Sequence, residues 1–317
     1  PPLNLLTQKS IGEVFMRFTK AWSCALNGME PFSVEVEVST SDQSGSDTIV
    51  SIVGLPDSAV RESKDRVYSA LCASGFRFPK GSTTISLAPA GIKKSGPALD
   101  LPIALAIIAA TEQDFPLHVL EDSMLFGELA LDGRIRPVHG ALAMALHARE
   151  HKFQSLYVPE ANGPEASIAE GVAVYGVANL RQTYELLKAN IFQQPINCDI
   201  HALFNQPTHQ SQIDFKDIKG HQSARRGLEI AAAGSHNLIL VGTPGCGKTL
   251  LARAFAGILP RLHLEEALKV TQVHSISGAL PEDQALITQR PFRSPHHTIS
   301  EAGLLGGSSN PRPGEVS

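Results

Sequence analysis

The sequence has little that would narrow its role at a glance. Its 27 basic and 31 acidic side chains leave a formal net charge of −4 over 317 residues. That balance makes no whole-chain case for nucleic acid or an anionic membrane, although a local basic surface fits inside a neutral average. Only four cysteines occur, Cys24, Cys72, Cys198 and Cys246, with no C-x-x-C pair and no histidine at ligand spacing. Such scatter argues against structural zinc and fits a reducing, cytoplasmic setting. The longest apolar stretch, "ALDLPIALAIIAA" from Ala98 to Ala110, carries Asp100 and Pro102 and is too short for a bilayer span, so it reads as a buried helix and no membrane partner is expected. The opening "PPLNLLTQKSIGEVFMRF" lacks both an initiator methionine and the basic-then-apolar order of a signal peptide, and Met16 stands as a possible natural start. The closing "PRPGEVS" lies in a Gly/Pro-rich stretch that completes no element, so the chain reads as a fragment.

What is present divides in two, because the chain is longer than one typical domain. From Phe32, "FSVEVEVS" alternates as a half-buried strand; after the polar stretch Ser39 to Asp47, "TIVSIVG" resumes, and the two read as an antiparallel pair. Asp57 to Ser74 places Val60, Val67 and Leu71 on one helical face, with Gly75 as the stop. "TTISLAP", the helix from Ala98, "SMLFGELA", a helix from Gly140 to Glu150, "SLYVP" and a helix from Asn179 to Lys188 make an α/β domain. Residues 1–31 read as an N-terminal extension and first strand region, 32–190 as the first domain, and 191–212, rich in amides and holding two prolines, as a linker. The second domain, 213–317, opens with "DFKDIKGHQSARRGLEIAAAG", where a helix from near Gln222 carries Leu228 and Ile230 toward a core and stops at Gly234.

The most specific chemistry follows. Gly242 to Thr249, "GTPGCGKT", fits G-x-x-x-x-G-K-[ST], between an expected strand "NLILV" and the helical "TLLARAFAGIL". Gly242, Thr243, Pro244, Gly245, Cys246 and Gly247 then form a loop whose N–H groups, all but that of Pro244, which has none, turn inward around a β-phosphate at a helix N-terminus. Lys248 bridges the β- and γ-phosphates, and the Thr249 hydroxyl ligates Mg²⁺, so ATP and Mg²⁺ are the expected cofactors. Cys246 reads as a small filler in the loop.

The words around this loop carry a resemblance. "DFKDIKGHQSARRGLEIAAAGSHNLILVGTPGCGKTLLARAFAGILP" and "RPFRSPHHTISEAGLLGGSSNPRPGEVS" resemble the magnesium-chelatase-like AAA+ proteins of the YifB/ComM family. "VGLPDSAVRESKDRV", "SGFRFP", "ISLAPAGIKKSGPALDLPIALAI" and "GELALDGRIRPVHGAL" are similar to the proteolytic domain of Lon. The resemblance implies an α/β protein in which a Lon-protease-like (ribosomal S5 domain 2-like) α+β domain precedes a truncated P-loop AAA+ α/β domain. It also implies a homo-hexameric ring and, for the ComM branch, helicase-like DNA branch migration in natural transformation, with single-stranded or branched DNA as partner. By the family's "D-x-K-G" box, the backbone around Ile218 and Gly220 borders the adenine, although a strand end and a turn explain those two residues equally well.

A Lon-like domain raises the question of peptidase chemistry, which needs a serine nucleophile with a lysine base in reach. By resemblance those positions fall on Ala98, in "SGPALD", and Leu142, in "PVHGALAM", so no peptidase is expected. Ser95, beside Lys93 and Lys94, reads as a solvated loop residue, and the lysine pair as a solvated face. "RPFRSPHHTIS" packs Arg290, Arg293, His296 and His297 into one irregular loop. Adjacent residues of an extended chain point apart, so the two histidines are not expected to grip one ion; phosphate or a neighbouring subunit suits the set better, and a loop folded on its own domain suits it as well. The resemblance places pore-facing insertions beyond it, with Arg312 or Asn310 as possible DNA contacts. No acidic Walker B strand follows the loop in this sequence, so the chain alone is expected to bind ATP and to hydrolyse it weakly. A metal-chelatase ATPase subunit and a non-catalytic Lon-like module that uses ATP for assembly are the competing readings.

Overall fold

Two long strands, β1 (Phe15–Asn27) and β2 (Glu30–Asp42), form an antiparallel hairpin in which Ala21 faces Val36 and Ser23 faces Val34. Around it, β3 (Ile49–Val53), α1 (Ser58–Ala73), β4 (Ser82–Ala88), α2 (Asp100–Thr111), α3 (Leu117–Glu121), β5 (Ser123–Leu125), β6 (Glu128–Leu129), β7 (Ile135–Arg136), α4 (Ala141–Glu150), β8 (Ser155–Pro159), α5 (Gly163–Ala166), β9 (Ala173–Val177) and α6 (Leu180–Ala189) follow in order. Seven strands make one sheet in the order β3-β4-β2-β1-β5-β8-β9, and β6 pairs with β7 apart from it. This computed structural model describes residues 15–42, 48–189, 194–205, 213–281, 284–307 and 312–316, apart from the side chains of 15, 16, 42 and 312. It falls into two units: the chain up to Cys198 with Gln272–Ala285 and Ser308–Pro313, and Asp199–Thr271 with Leu286–Gly307 and Gly314–Ser317.

The pairing expected from "FSVEVEVS" and "TIVSIVG" is corrected here. β2 takes β1 on one side and β4 on the other, both antiparallel, whereas β3 runs parallel to β4. A parallel pair needs a crossover, and α1 supplies it between β3 and β4. Asp57 starts that helix by accepting the Val60 N–H at 2.8 Å. β5, β8 and β9 continue the sheet in parallel on the far side of β1.

Strand alternation sorts side chains onto two faces. Ala21, Ala25, Val34, Val36, Val38 and Leu125 turn to the face covered by α2, whose residues from Asp100 to Ala110 are all buried. A helix apolar on every side belongs inside a unit, and α2 is that central helix. Cys24, Met124, Leu156 and Val158 turn to the other face and meet Ala141, Met144, Ala145 and Ala148 of α4.

One buried polar node ties the α2 layer together. Asp100 has no exposure and accepts from Ser63 Oγ at 2.5 Å, Arg66 Nε at 2.7 Å and Nη2 at 3.0 Å, and the Leu129 N–H at 3.2 Å. Burial raises its carboxyl above the ordinary aspartate value, while Arg66, Ser63 and the Leu129 N–H pull the other way. The node joins α1, the start of α2 and β6.

The second unit is mostly helical among its described residues, with α7 (Ile200–Asn205), α8 (Gln222–Gly234), α9 (Lys248–Ile258), the greater part of α10 (Leu264–Ser277) and α11 (Glu301–Leu305), and it adds one short strand at Gly306–Gly307. Phe215, Ile218, Leu228, Leu251 and Ala254 form a small core with Leu240 and Phe255 against it. Two expectations fail here. Ile230 is 53% exposed, not in the core, because two helical steps rotate it about 200° from Leu228. The segment Asn237–Val241 is not a strand: Ile239 and Val241 are 87% and 91% exposed, and among the described residues no strand lies beside it to take its N–H and C=O groups.

Candidate nucleotide-binding site

The loop from Gly242 to Gly247 leads directly into α9, and its glycines are not equivalent. Gly245 and Gly247 sit at φ 80° and 88°, in the left-handed region, with nothing within 4 Å of an added Cβ, so they are needed for backbone conformation. At Gly242 a Cβ would stand 2.8 Å from Cys246 Sγ, so a larger residue there has to turn the cysteine side chain aside.

Helix α9 starts at Lys248 with Gly247 as its cap and no side-chain acceptor on its first turn. Its leading N–H groups are therefore open to an external anion. Lys248 Nζ curls back over the loop, donating to the carbonyls of Gly242 at 2.9 Å and Thr243 at 2.8 Å, with Cys246 Sγ at 3.6 Å. These are neutral acceptors, and a phosphate oxygen makes a stronger, charge-assisted bond to the same ammonium. Thr243, Pro244 and Thr249 are exposed, Thr249 one residue into the helix. The stretch Gly242–Thr249 contains no carboxylate to oppose an anion. A glycine cradle, an uncapped helix start and a lysine held only by neutral acceptors fit a polyphosphate.

Ile218 and Gly220 divide. The Ile218 side chain is buried in the unit's core, and its carbonyl accepts from Arg225 Nη1 at 3.4 Å, whereas Gly220 is exposed at φ 74°. Only backbone is left to border a base at Ile218. Asn310 lies outside the described residues, as does the side chain of Arg312.

At the Lon-like positions, Ala98 and Leu142 are both buried, 8% and 0% exposed, and the Leu142 N–H donates to Glu165 Oε1 at 2.9 Å. Ser95 is half-buried. The solvated lysine pair is half wrong: Lys93 is exposed, but Lys94 has no exposure, and its ammonium donates to the Gly54 carbonyl at 3.0 Å and to the Pro89 carbonyl. Burial lowers its pKa from the usual lysine value. The lysine pins the loop after β3 to the loop after β4, work that "GIKKSG" does not advertise.

In "RPFRSPHHTIS", Arg290 is tied to the Pro260 carbonyl and Glu266, and Arg293 to Glu315, a partner that sequence reasoning missed for want of any spacing rule over 22 residues. His296 and His297 do not point apart: a turn at 297–298 brings their rings to 4.2 Å. Among the described residues no three His, Cys, Asp or Glu side chains gather to hold a metal, and no helix is long and apolar enough to cross a membrane.

Residues 214–317 match the family model described as magnesium chelatase, subunit ChlI, and residues 34–162 match a second, subunit ChlI of Mg-chelatase. An uncharacterized protein of Mycobacterium tuberculosis is 41% identical over 304 residues, covering 95% of this chain and 58% of the relative. YifB of Escherichia coli is 38% identical over 288 residues, 90% of this chain and 54% of the relative. Competence protein ComM of Haemophilus influenzae is 37% identical over 307 residues, 95% of this chain and 58% of the relative. The chain thus spans little more than half the length of these relatives, and it belongs to the magnesium-chelatase-like family that includes YifB and ComM.

Proposed function

We propose that this chain is the nucleotide-binding part of an AAA+ ATPase that assembles as a homo-hexameric ring and works as a motor on single-stranded or branched DNA. The observation that carries the reading is the Lys248 ammonium, bonded to two neutral loop carbonyls and the Cys246 sulfur at the open end of α9. With ATP, Lys248 exchanges those carbonyls for oxygens of the β- and γ-phosphates, and the N–H groups of the loop, Pro244 having none, surround the β-phosphate. The Thr249 hydroxyl would be this chain's ligand to Mg²⁺, which would supply positive charge against the phosphates. Backbone near Ile218 and Gly220 borders the adenine.

The first unit, in this reading, is a Lon-like fold that has lost its dyad: a methyl at Ala98 cannot attack a carbonyl and Leu142 cannot take a proton. It serves as scaffold or substrate surface. DNA as substrate draws on the family resemblance and on the competence role in ComM's name. Arg312 and Asn310 are proposed as contacts in a pore-facing loop. A chelatase subunit is the second reading, favoured by the description of both matching family models.

The test is ATP hydrolysis by the full-length protein with and without single-stranded DNA. Stimulation by DNA that fades steeply as salt rises supports the motor. Hydrolysis indifferent to DNA, with no DNA bound at low salt, hands the assignment to the chelatase reading.

A further inference from the structure

The second unit carries a second concavity, of about 500 Å³, lined by Phe292, Arg293, Ser294, His296, Thr298 and Glu315 among others. Its polar groups are mostly donors. Arg293 is gripped from two sides by one carboxylate, Nε to Glu315 Oε2 and Nη2 to Oε1, both at 2.6 Å. The arginine side chain is nevertheless 46% exposed, and its Nη1 group is outside that pair. The His296 tautomer follows from its neighbours. The Thr298 N–H, which can only donate, lies 3.3 Å from Nδ1, so Nδ1 accepts and the Thr298 hydroxyl at 2.7 Å donates to it as well. The ring proton then sits on Nε2, and the imidazole offers a donor of its own. Ser294 lines the same pocket.

A two-pronged carboxylate on a guanidinium has the geometry of a two-pronged phosphate on a guanidinium. Glu315 is the acid lining this pocket, and it stands where an oxyanion's two oxygens fit. We propose that the pocket is a phosphate-group site separate from the Gly242–Thr249 loop, with Glu315 as an internal competitor that incoming phosphate must displace from Arg293. The exchange costs little, because both members of the pair are partly exposed and such pairs are weak in water. Arg290 has no part in it, being held by Pro260 and Glu266. A free phosphate and the phosphodiester of a nucleic acid share this chemistry.

The test uses the 317-residue chain carrying Lys248→Ala, so that phosphate at the nucleotide loop does not register. Inorganic phosphate and a single-stranded oligothymidylate are each titrated at low ionic strength by calorimetry. Glu315→Gln is expected to tighten binding about 3- to 5-fold by freeing the guanidinium, and Arg293→Ala to weaken it about tenfold or more. Arg293→Lys, which keeps the charge and loses the fork, falls between them, and its circular dichroism separates a lost site from a lost fold. The pattern in both probes, or in phosphate alone, assigns the site to a free phosphate group; the pattern in the oligonucleotide alone assigns it to a phosphodiester chain. If neither probe's affinity moves with Glu315→Gln and Arg293→Ala in folded protein, the proposal is wrong.

Discussion

Asp100→Ala is expected to unseat the α2 layer, and the structure gives the size of the effect. The substitution removes the acceptor of four hydrogen bonds in a place with no solvent. Breaking a buried ion pair from one side costs about 3–5 kcal/mol because the other charge is stranded. Arg66 is 20% exposed and regains some water, which points to the lower end, about 3 kcal/mol. The Leu129 N–H loses its carboxylate and adds about 1 kcal/mol. A total of about 4 kcal/mol in a unit of this size lowers Tm by roughly 10 °C. Thermal and urea unfolding followed by circular dichroism measure it. Adding Arg66→Ala removes the stranded charge, so the double variant is expected to cost no more than about 1 kcal/mol beyond Asp100→Ala. A loss below about 1 kcal/mol for Asp100→Ala alone would refute the claim that this node holds α1, α2 and β6 together.

Three further outcomes are expected. Burial first, and then the neighbouring His151, hold His147 below the usual imidazole value of 6.5, so it stays neutral in the fold while the unfolded chain takes up a proton. Stability is then full above about pH 6.5 and falls as pH drops through that value, by up to about 1.4 kcal/mol per unit; urea midpoints between pH 8 and 5.5 check this, and His147→Gln flattens the slope. Lys94→Met leaves the Gly54 and Pro89 carbonyls without their ammonium and is expected to cost about 2 kcal/mol, read from the same midpoints, with unchanged or raised stability as the contrary result. Gly247→Ala puts a side chain at φ 88°, a strain of about 1–2 kcal/mol, and is expected to weaken ATP binding with little change in secondary structure, as calorimetry and circular dichroism together report.

The elements legible in the sequence are those whose own residues carry the signal. Val60, Val67 and Leu71 with Asp57 ahead of them mark α1, and α8 runs from Gln222 to Gly234 as its pattern states. β1 was obscure because Ala21, Ser23, Cys24 and Ala25 are all buried: a strand covered on both faces loses the alternation by which strands are recognised. The sequence places a first strand region only loosely within 1–31 and gives it no partner, so "FSVEVEVS" finds "TIVSIVG" as its neighbour in place of β1 and β4. "NLILV" failed in the opposite way, its β-forming residues being sound and its ladder partners absent from the described residues. At the site, the glycine and lysine positions were legible because each answers to local backbone chemistry. The Arg293–Glu315 and Lys94–Gly54 contacts depend on how loops return in space, and no spacing in the sequence encodes them.

The central claim is that the loop before α9 holds ATP through Lys248, and calorimetric titration of Mg-ATP into the 317-residue chain and its Lys248→Ala variant tests it most directly. The account predicts saturable one-to-one binding by the parent and a loss of at least about tenfold in affinity, from a missing charge-assisted bond, in a variant with unchanged circular dichroism. Equal affinities in the two folded proteins, or no binding by the parent, contradict it.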